Sequence, residues 1–303
     1  MTDNLQELLV KPHPGPANAV IFLSGSGSNA EEVLKFTASR TDAPYVLKAL
    51  VTDAPETSRA RELGQMYNLP VIEEDIRKFY HDNGEKRVSI ATPRGQELRQ
   101  QWTDKLRERL KPLQVDFAIF AGFVPLTNIA EDFPCLNVHP GDLTYLKDGA
   151  RYLVGLHTIP VEHAILEGLD YLRSSVILVR PYSGKGEDMD NGALLGISEE
   201  VPVDVSESEL AELRQVAASR PAVRPVGGYQ DKLAEVAKEY QERLKVGGDW
   251  KVLPRVVWDF ASGRYAEDAA GQLFYRLGQK WHPVETVIFS GDSREPIFAG
   301  SEL

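Results

Sequence analysis

Asn137 and His139 stand two residues apart in the string Leu136-Asn137-Val138-His139-Pro140. On a β-strand that spacing sets both side chains on one face, an amide donor beside a proton carrier. Such a pair suits the stabilisation of a tetrahedral oxyanion and the movement of its protons. Pro140 has no N–H for a ladder, so the strand is expected to stop there and leave His139 near the sheet edge. Taken alone, the string fits a histidine that only satisfies the structure as well. A second candidate is Ser24-Gly25-Ser26-Gly27-Ser28-Asn29, between an apolar run and a helical pattern. Backbone N–H groups at a helix N-terminus bind phosphate without any basic side chain. The string lacks the lysine of a P-loop and the third glycine of a dinucleotide fingerprint. A tight turn whose serines cap the helix explains it equally well. A third candidate is Asp188-Met189-Asp190-Asn191-Gly192, after the apolar run 174–180. A carboxylate there can hold and tune an imidazole or position a water, although an acidic turn has the same composition. Cys135, the one cysteine, lies in an apolar context and reads as small hydrophobic filler, not as a nucleophile.

The elements that must position these groups follow from hydrophobic patterning. A continuous apolar run at 19–24 is expected of a strand buried on both faces, with a helix over 30–39 after the Gly-Ser string. Strands at 46–52, 69–72 and 115–121 alternate with helices at 56–68 and 94–111. That β-α-β-α-β-α-β order is the signature of an open, mostly parallel, doubly wound α/β sheet. Beyond the Asn-x-His-Pro strand, a polar loop precedes a helix at 160–168, a strand at 174–180 and a strand within 193–203. Helices are expected at 206–219, 229–245 and 250–261, then hairpin strands in GQLFYRL and ETVIFS. We divide the chain into a catalytic domain, 1–204, and a C-terminal helical and β-hairpin extension, 205–303, packed on the same domain.

Composition narrows the function classes. The net charge of −11, from 45 acidic against 34 basic residues, argues against a nucleic-acid or anionic-membrane partner, both of which need a positive footprint. A lone cysteine forms no internal disulfide and no cysteine-rich metal site. No stretch resembles a membrane span or a signal peptide, so a cytoplasmic protein acting on small molecules is expected. A homodimer is compatible with the sequence without being read from it.

The segments IFLSGSGSN (21–29), DFAIFAGFVPL (116–126), LNVHP (136–140), GLHT (155–158), SSVILV (174–179) and DMDNGALL (188–195) come in an order that is specific where no single piece is. In this the chain resembles the 10-formyltetrahydrofolate-dependent formyltransferases, most of all the phosphoribosylglycinamide formyltransferases of purine synthesis. The resemblance covers about residues 18–264 and implies a formyltransferase-like Rossmann-type fold. It implies 10-formyltetrahydrofolate as co-substrate and a catalytic triad of Asn137, His139 and Asp190, with no metal. It also places a substrate-phosphate loop on Gly25, Ser26, Gly27, Ser28 and Asn29. Folate contacts fall on Phe123, Val124, Leu126 and Asp188, and acceptor contacts on Arg94 and Asp249. The implied activity is formyl transfer to the primary amine of a small phosphorylated acceptor, glycinamide ribonucleotide first, with an amino sugar or sugar nucleotide as the alternative. Deformylation of the folate is less favoured, because that relative carries an additional N-terminal regulatory domain where only a short stretch precedes the first strand here. A silent folate- or nucleotide-binding protein is disfavoured by the filled triad. Transfer to a charged tRNA is disfavoured by the acidic charge. Four departures stand out: longer loops at 141–154 and 180–189, Pro125 where a basic residue is usual, Ile177 where a histidine is usual, and a tail, 265–303, with no counterpart.

Overall fold

The structure, a computed structural model, describes residues 5–156, 158–181, 191–225 and 227–300. The apolar runs form the parallel centre of the molecule. β1 (Gln6–Glu7) is a short edge strand, and β2 (Ala17–Phe22), α1 (Ser28–Ala38), β3 (Tyr45–Thr52), α2 (Ala60–Met66) and β4 (Val71–Glu73) follow. α3 (Ile76–Asp82) and α4 (Pro93–Leu110) lead to β5 (Phe117–Phe120) and β6 (Cys135–His139). Local chemistry sets the helix starts. Thr92 accepts the Gly95 N–H ahead of Pro93, and Asp75 accepts the Lys78 N–H, so each caps a first turn.

Strands β4, β3, β2, β5 and β6 pair in parallel in that order. The chain runs outward from β2 through β3 to β4, then returns to place β5 on the other side of β2. This reversal makes a crevice at the carboxyl ends of β2 and β5, the place where open α/β sheets bind ligands. Strand β2 shows why helices cover both faces. Ala19, Ile21 and Leu23 pack with Val33, Leu34, Val256, Val257 and Phe260 on one side. Val20 and Phe22 pack with Leu98, Trp102 and Leu106 on the other. The fold is an open, doubly wound α/β sheet.

The second half of the chain extends that sheet. A hairpin of β7 (Leu146–Lys147) and β8 (Ala150–Arg151) lies in the long loop after β6. Asp148 and Gly149 at its tip both have positive φ, as the tight two-residue hairpin turn requires. Next come α5 (Ile159–Glu167), β9 (Tyr171–Leu172), β10 (Ser175–Leu178), β11 (Leu194–Ser198) and β12 (Val201–Pro202). β10 runs antiparallel to both β6 and β11. Helices α6 (Glu207–Ala218) and α7 (Lys232–Leu244) cover the α5 side, where Arg220 joins Glu162 and Asp231. α7 passes through a π-helical turn, Lys245–Asp249, directly into α8 (Trp250–Ala261).

The tail, β13 (Tyr265–Glu267), β14 (Leu273–Leu277), β15 (Lys280–Ser290) and β16 (Ser293–Phe298), belongs to the same sheet. β15 pairs with β14 and β16 and, in parallel, with β11 through Ile197↔Ile288. Asp259 of α8, 1% exposed, accepts from Tyr275 of β14 at 2.6 Å and from Arg294 of β16 at 3.0 and 3.2 Å, which locks the tail to the helix.

Candidate active site

Three loops leave the carboxyl ends of neighbouring parallel strands and meet in one cleft of about 380 Å³. After β2 comes Ser24–Asn29, after β5 Ala121–Val124, and at the end of β6 Asn137–Pro140. Gly155 and Leu156 close one side; Gln241, Lys245 and Asp249, from α7 and its π-helical turn, close another.

The Gly-Ser string bends sharply into α1. Gly27 is the helix N-cap with φ 65°, and a Cβ there would come within 2.9 Å of both Leu23 Cδ1 and Leu63 Cδ1. Only glycine combines that left-handed backbone with so close an approach. Arg59 fixes the loop from outside, donating to the Ser26 carbonyl at 3.2 Å and to Glu31 at 2.9 Å. The Arg59 guanidinium holds the Glu31 carboxyl below its ordinary pKa, so the acid in the first turn of α1 is already neutralised by a partner. The N-terminus of α1 therefore faces the cleft with its backbone donors and its dipole intact.

Ser24 links this loop to the next. It accepts the Val124 N–H at 3.0 Å and donates to Asp53 at 2.5 Å. Burial raises the pKa of Asp53, opposed by the Ser24 hydrogen bond. Phe123 packs against Phe22 and Phe120, with ring centroids 5.0 and 5.3 Å away, and lines the cleft. Val124 lines it as well and is 52% exposed, an apolar side chain left open beside polar groups.

Asn137 and His139 both line the cleft. His139 is buried, and its Nε2 lies 2.7 Å from the Leu153 carbonyl oxygen. A carbonyl only accepts, so Nε2 carries the proton and a neutral ring has its lone pair on Nδ1. Leu153 belongs to the long loop 141–154. The β7–β8 hairpin carries it into place, with Tyr152 stacked on His163 of α5 and Lys147 paired with Glu167 at 2.6 Å. Arg151 of the same hairpin donates to the Gly192 carbonyl at 3.0 Å. The long loop thus orients the imidazole. Gly141 makes the approach feasible, since a Cβ there would lie 2.5 Å from the Leu153 oxygen and 3.0 Å from His139 Nε2.

Asp249 is buried at the cleft wall. Its Oδ1 accepts from the Ser174 hydroxyl at 2.5 Å and its Oδ2 from Asn29 Nδ2 at 3.0 Å. Burial raises its pKa; the hydrogen bonds from Ser174 and Asn29 and the charges of Lys245 and His139 oppose that. Asn29 Oδ1 is buried without a hydrogen-bond partner among the described residues.

The cleft therefore gathers Gly25–Asn29, Phe123, Val124, Asn137, His139 and Asp249. It does not gather Arg94, which is exposed and paired with Glu97 at 2.8 Å, or Leu126, whose carbonyl accepts from the buried Arg99 at 2.6 Å. Asp188, Asp190 and His157 lie outside the described residues. Leu153, Ser174, Gln241 and Lys245 were not singled out in the sequence. Besides Asp249, which the resemblance named, the two glycines of Lys245-Val-Gly-Gly-Asp249 inside a helical pattern were a signal for that side of the cleft. Cys135 is fully buried, with its thiol pushed well above the ordinary value by desolvation, as inert filler would be. Among the described residues no group of three or more His, Cys, Asp or Glu could hold a metal ion, and no helix is long and apolar enough to cross a membrane.

No family model matches the sequence, and no curated protein sequence matches it. Solved structures do match. Phosphoribosylglycinamide formyltransferase from Coxiella burnetii superposes with a TM-score of 0.58 at 15% identity, over 91% of this chain and 100% of that one. The enzyme from Anaplasma phagocytophilum gives 0.54 at 16% identity, over 89% and 97%. The fold is that of the phosphoribosylglycinamide formyltransferases. Glycinamide ribonucleotide transformylase 1 from Symbiobacterium toebii agrees, with a TM-score of 0.50 at 18% identity over 92% of this chain and 99% of that one. The formyltransferase fold thus includes most of the C-terminal region, and Asn137 and His139 stand at the carboxyl end of its parallel strand β6.

Proposed function

We propose that this protein transfers a formyl group from 10-formyltetrahydrofolate to the primary amine of a small phosphorylated acceptor, with glycinamide ribonucleotide the first candidate. One observation carries the reading: a single cleft at the strand-order reversal joins an amide and an imidazole to a helix N-terminus and a buried carboxylate. The apolar wall of Phe123 and the exposed Val124 suits the flat ring system of a folate, which supplies the formyl carbon when bound. Addition of an amine to a formyl carbonyl builds negative charge on oxygen. The Asn137 amide donates to that oxygen, and His139, oriented by Leu153, moves protons at Nδ1. Backbone donors of Gly25–Asn29 hold the acceptor's phosphate, and Asp249 accepts hydrogen bonds from its polar groups. Asp190 completes the proposed triad from the sequence resemblance.

The test is folate release by purified protein with glycinamide ribonucleotide against a panel of amino sugars. Turnover with an amino sugar alone keeps the chemistry and changes the acceptor. No stimulation by any amine refutes the reading. His139→Ala is expected to lower turnover by about a hundredfold or more, the low end for an acid–base group.

A further inference from the structure

We propose that Ser174 and the π-helical turn Lys245–Asp249 form a positioning device that sets acceptor affinity by holding the Asp249 carboxylate in the cleft wall. This rests on the formyl-transfer reading of the cleft. The helical path from Lys232 to Ala261 is broken only at this turn, where Gly247 and Gly248 replace good helix formers. The glycines permit an approach that no other residue allows. A Cβ on Gly248 would lie 2.3 Å from Ser174 Oγ and 2.9 Å from Leu244 Cδ1, and one on Gly247 would lie 2.8 Å from Val201 Cγ2. The turn is pressed against the strand entry that carries Ser174.

Ser174 is itself rigid. Its N–H donates to Ser198 Oγ at 3.0 Å, its carbonyl accepts the Ser198 N–H at 2.9 Å, and it is fully buried. Its hydroxyl has a fixed origin from which to donate to Asp249 Oδ1. The other carboxylate oxygen is held by Asn29, from the first turn of α1. A carboxylate buried only for packing would be replaced at a gain by a neutral side chain of the same size. Here both oxygens are aimed, from two separate elements, at a wall of the cleft. Ser174 does not line the cleft, so it acts through Asp249. The groups facing this carboxylate are Ser174, Asn29, Lys245 of its own turn and His139 of β6.

The experiment compares Ser174→Ala, Ser174→Cys, Asp249→Asn and the double variant Ser174→Ala/Asp249→Asn, each checked for folding by thermal melt. Acceptor affinity is read as KM and as calorimetric Kd for glycinamide ribonucleotide. Ionisation of Asp249 is read by ¹³C NMR of carboxyl-labelled aspartate, assigned by its disappearance in Asp249→Asn. Ser174→Ala is expected to raise KM and Kd for the acceptor by about ten- to a hundredfold, the scale of a hydrogen bond to a charged group. The folate KM should stay within about twofold, and Ser174→Cys, with a weak S–H donor, should fall between. The double variant should bind no more weakly than Asp249→Asn. The Asp249 titration should move up in Ser174→Ala, because a bond that lowers it is gone, and the acid limb of the acceptor KM profile should move with it. An unchanged acceptor KM, a double variant that loses both effects in full, or an unmoved titration overturns the proposal. If the parent neither binds nor formylates glycinamide ribonucleotide, the formyl-transfer reading of that acceptor fails, while the titration still decides whether Ser174 sets the carboxylate.

Discussion

Gly141→Ala tests whether the loop after β6 orients the imidazole. The new methyl would sit 2.5 Å from the Leu153 oxygen, 3.0 Å from His139 Nε2 and 3.0 Å from Pro160 Cβ. The backbone oxygen cannot bend aside as a long side chain can, so Leu153 must retreat by roughly 0.5–1 Å to reach ordinary contact. The 2.7 Å bond to His139 then lengthens to about 3.2–3.7 Å, at or past the limit of hydrogen-bond geometry. A lost neutral hydrogen bond accounts for about 1 kcal/mol, and an angstrom of misplacement at a reacting group costs about a hundredfold. We expect kcat to fall by roughly ten- to a hundredfold, with both KM values little changed, since no binding group moves. Overpacking should cost about 1–3 kcal/mol of stability, a fall of several degrees in Tm that leaves the protein folded at 25 °C. The assay is initial-rate folate release, run in parallel in a His139→Ala background. There Gly141→Ala should add almost nothing, because the group it displaces is absent. A folded Gly141→Ala protein with parental kcat would refute the argument, and so would an equal loss with and without His139.

The remaining predictions concern the supports of the cleft. Asp249→Asn removes a carboxyl whose folded-state pKa lies above its unfolded value, so the parent loses stability as pH rises through that interval. The variant should therefore gain Tm relative to the parent as pH climbs from about 4 to 7.5; a difference of equal size at both pH values contradicts this. Gly27→Ala forces alanine into a left-handed backbone against Leu23 and Leu63 and should cost about 1–3 kcal/mol by chemical denaturation. It should also raise the acceptor KM more than the folate KM. Asp259→Ala leaves Arg294 without its carboxylate and should cost about 3–5 kcal/mol. Limited proteolysis should then cut the tail strands β13–β16 first, and equal resistance to the parent would count against the lock.

Much of the fold could be read from apolar periodicity, because strands buried on both faces leave continuous runs and amphipathic helices leave a stripe. The run Ala17–Phe22, the 94–111 helix and the end of β6 at His139 all fall close to their expected places. Helix α3 was not legible: Ile76, Phe79 and Tyr80 supply its buried face within a seven-residue segment too short to show a period. The seat of the tail was not legible either. Which strand β15 joins depends on a contact between residues far apart in the chain, and nothing local to either strand encodes it. At the cleft, Asn137, His139 and the Gly-Ser loop announced themselves through spacing. Leu153 could not, since it contributes a backbone carbonyl, which every residue has. Arg94 was placed by resemblance alone, and its side chain stays with Glu97 at the surface.

The parallel pairing of β11 with β15 has a consequence for synthesis. All five residues of Leu194–Ser198 are buried, and the strand is bounded by β10 on one side and by Ile288 and Phe289 on the other. While the ribosome is still making everything from Glu199 to Phe289, at about 5–20 residues per second, the nascent chain holds an apolar strand with one open edge. Chaperone occupancy and premature aggregation should concentrate in that interval. The residues that end it lie far downstream of the strand they cover, and neither of them lines the cleft.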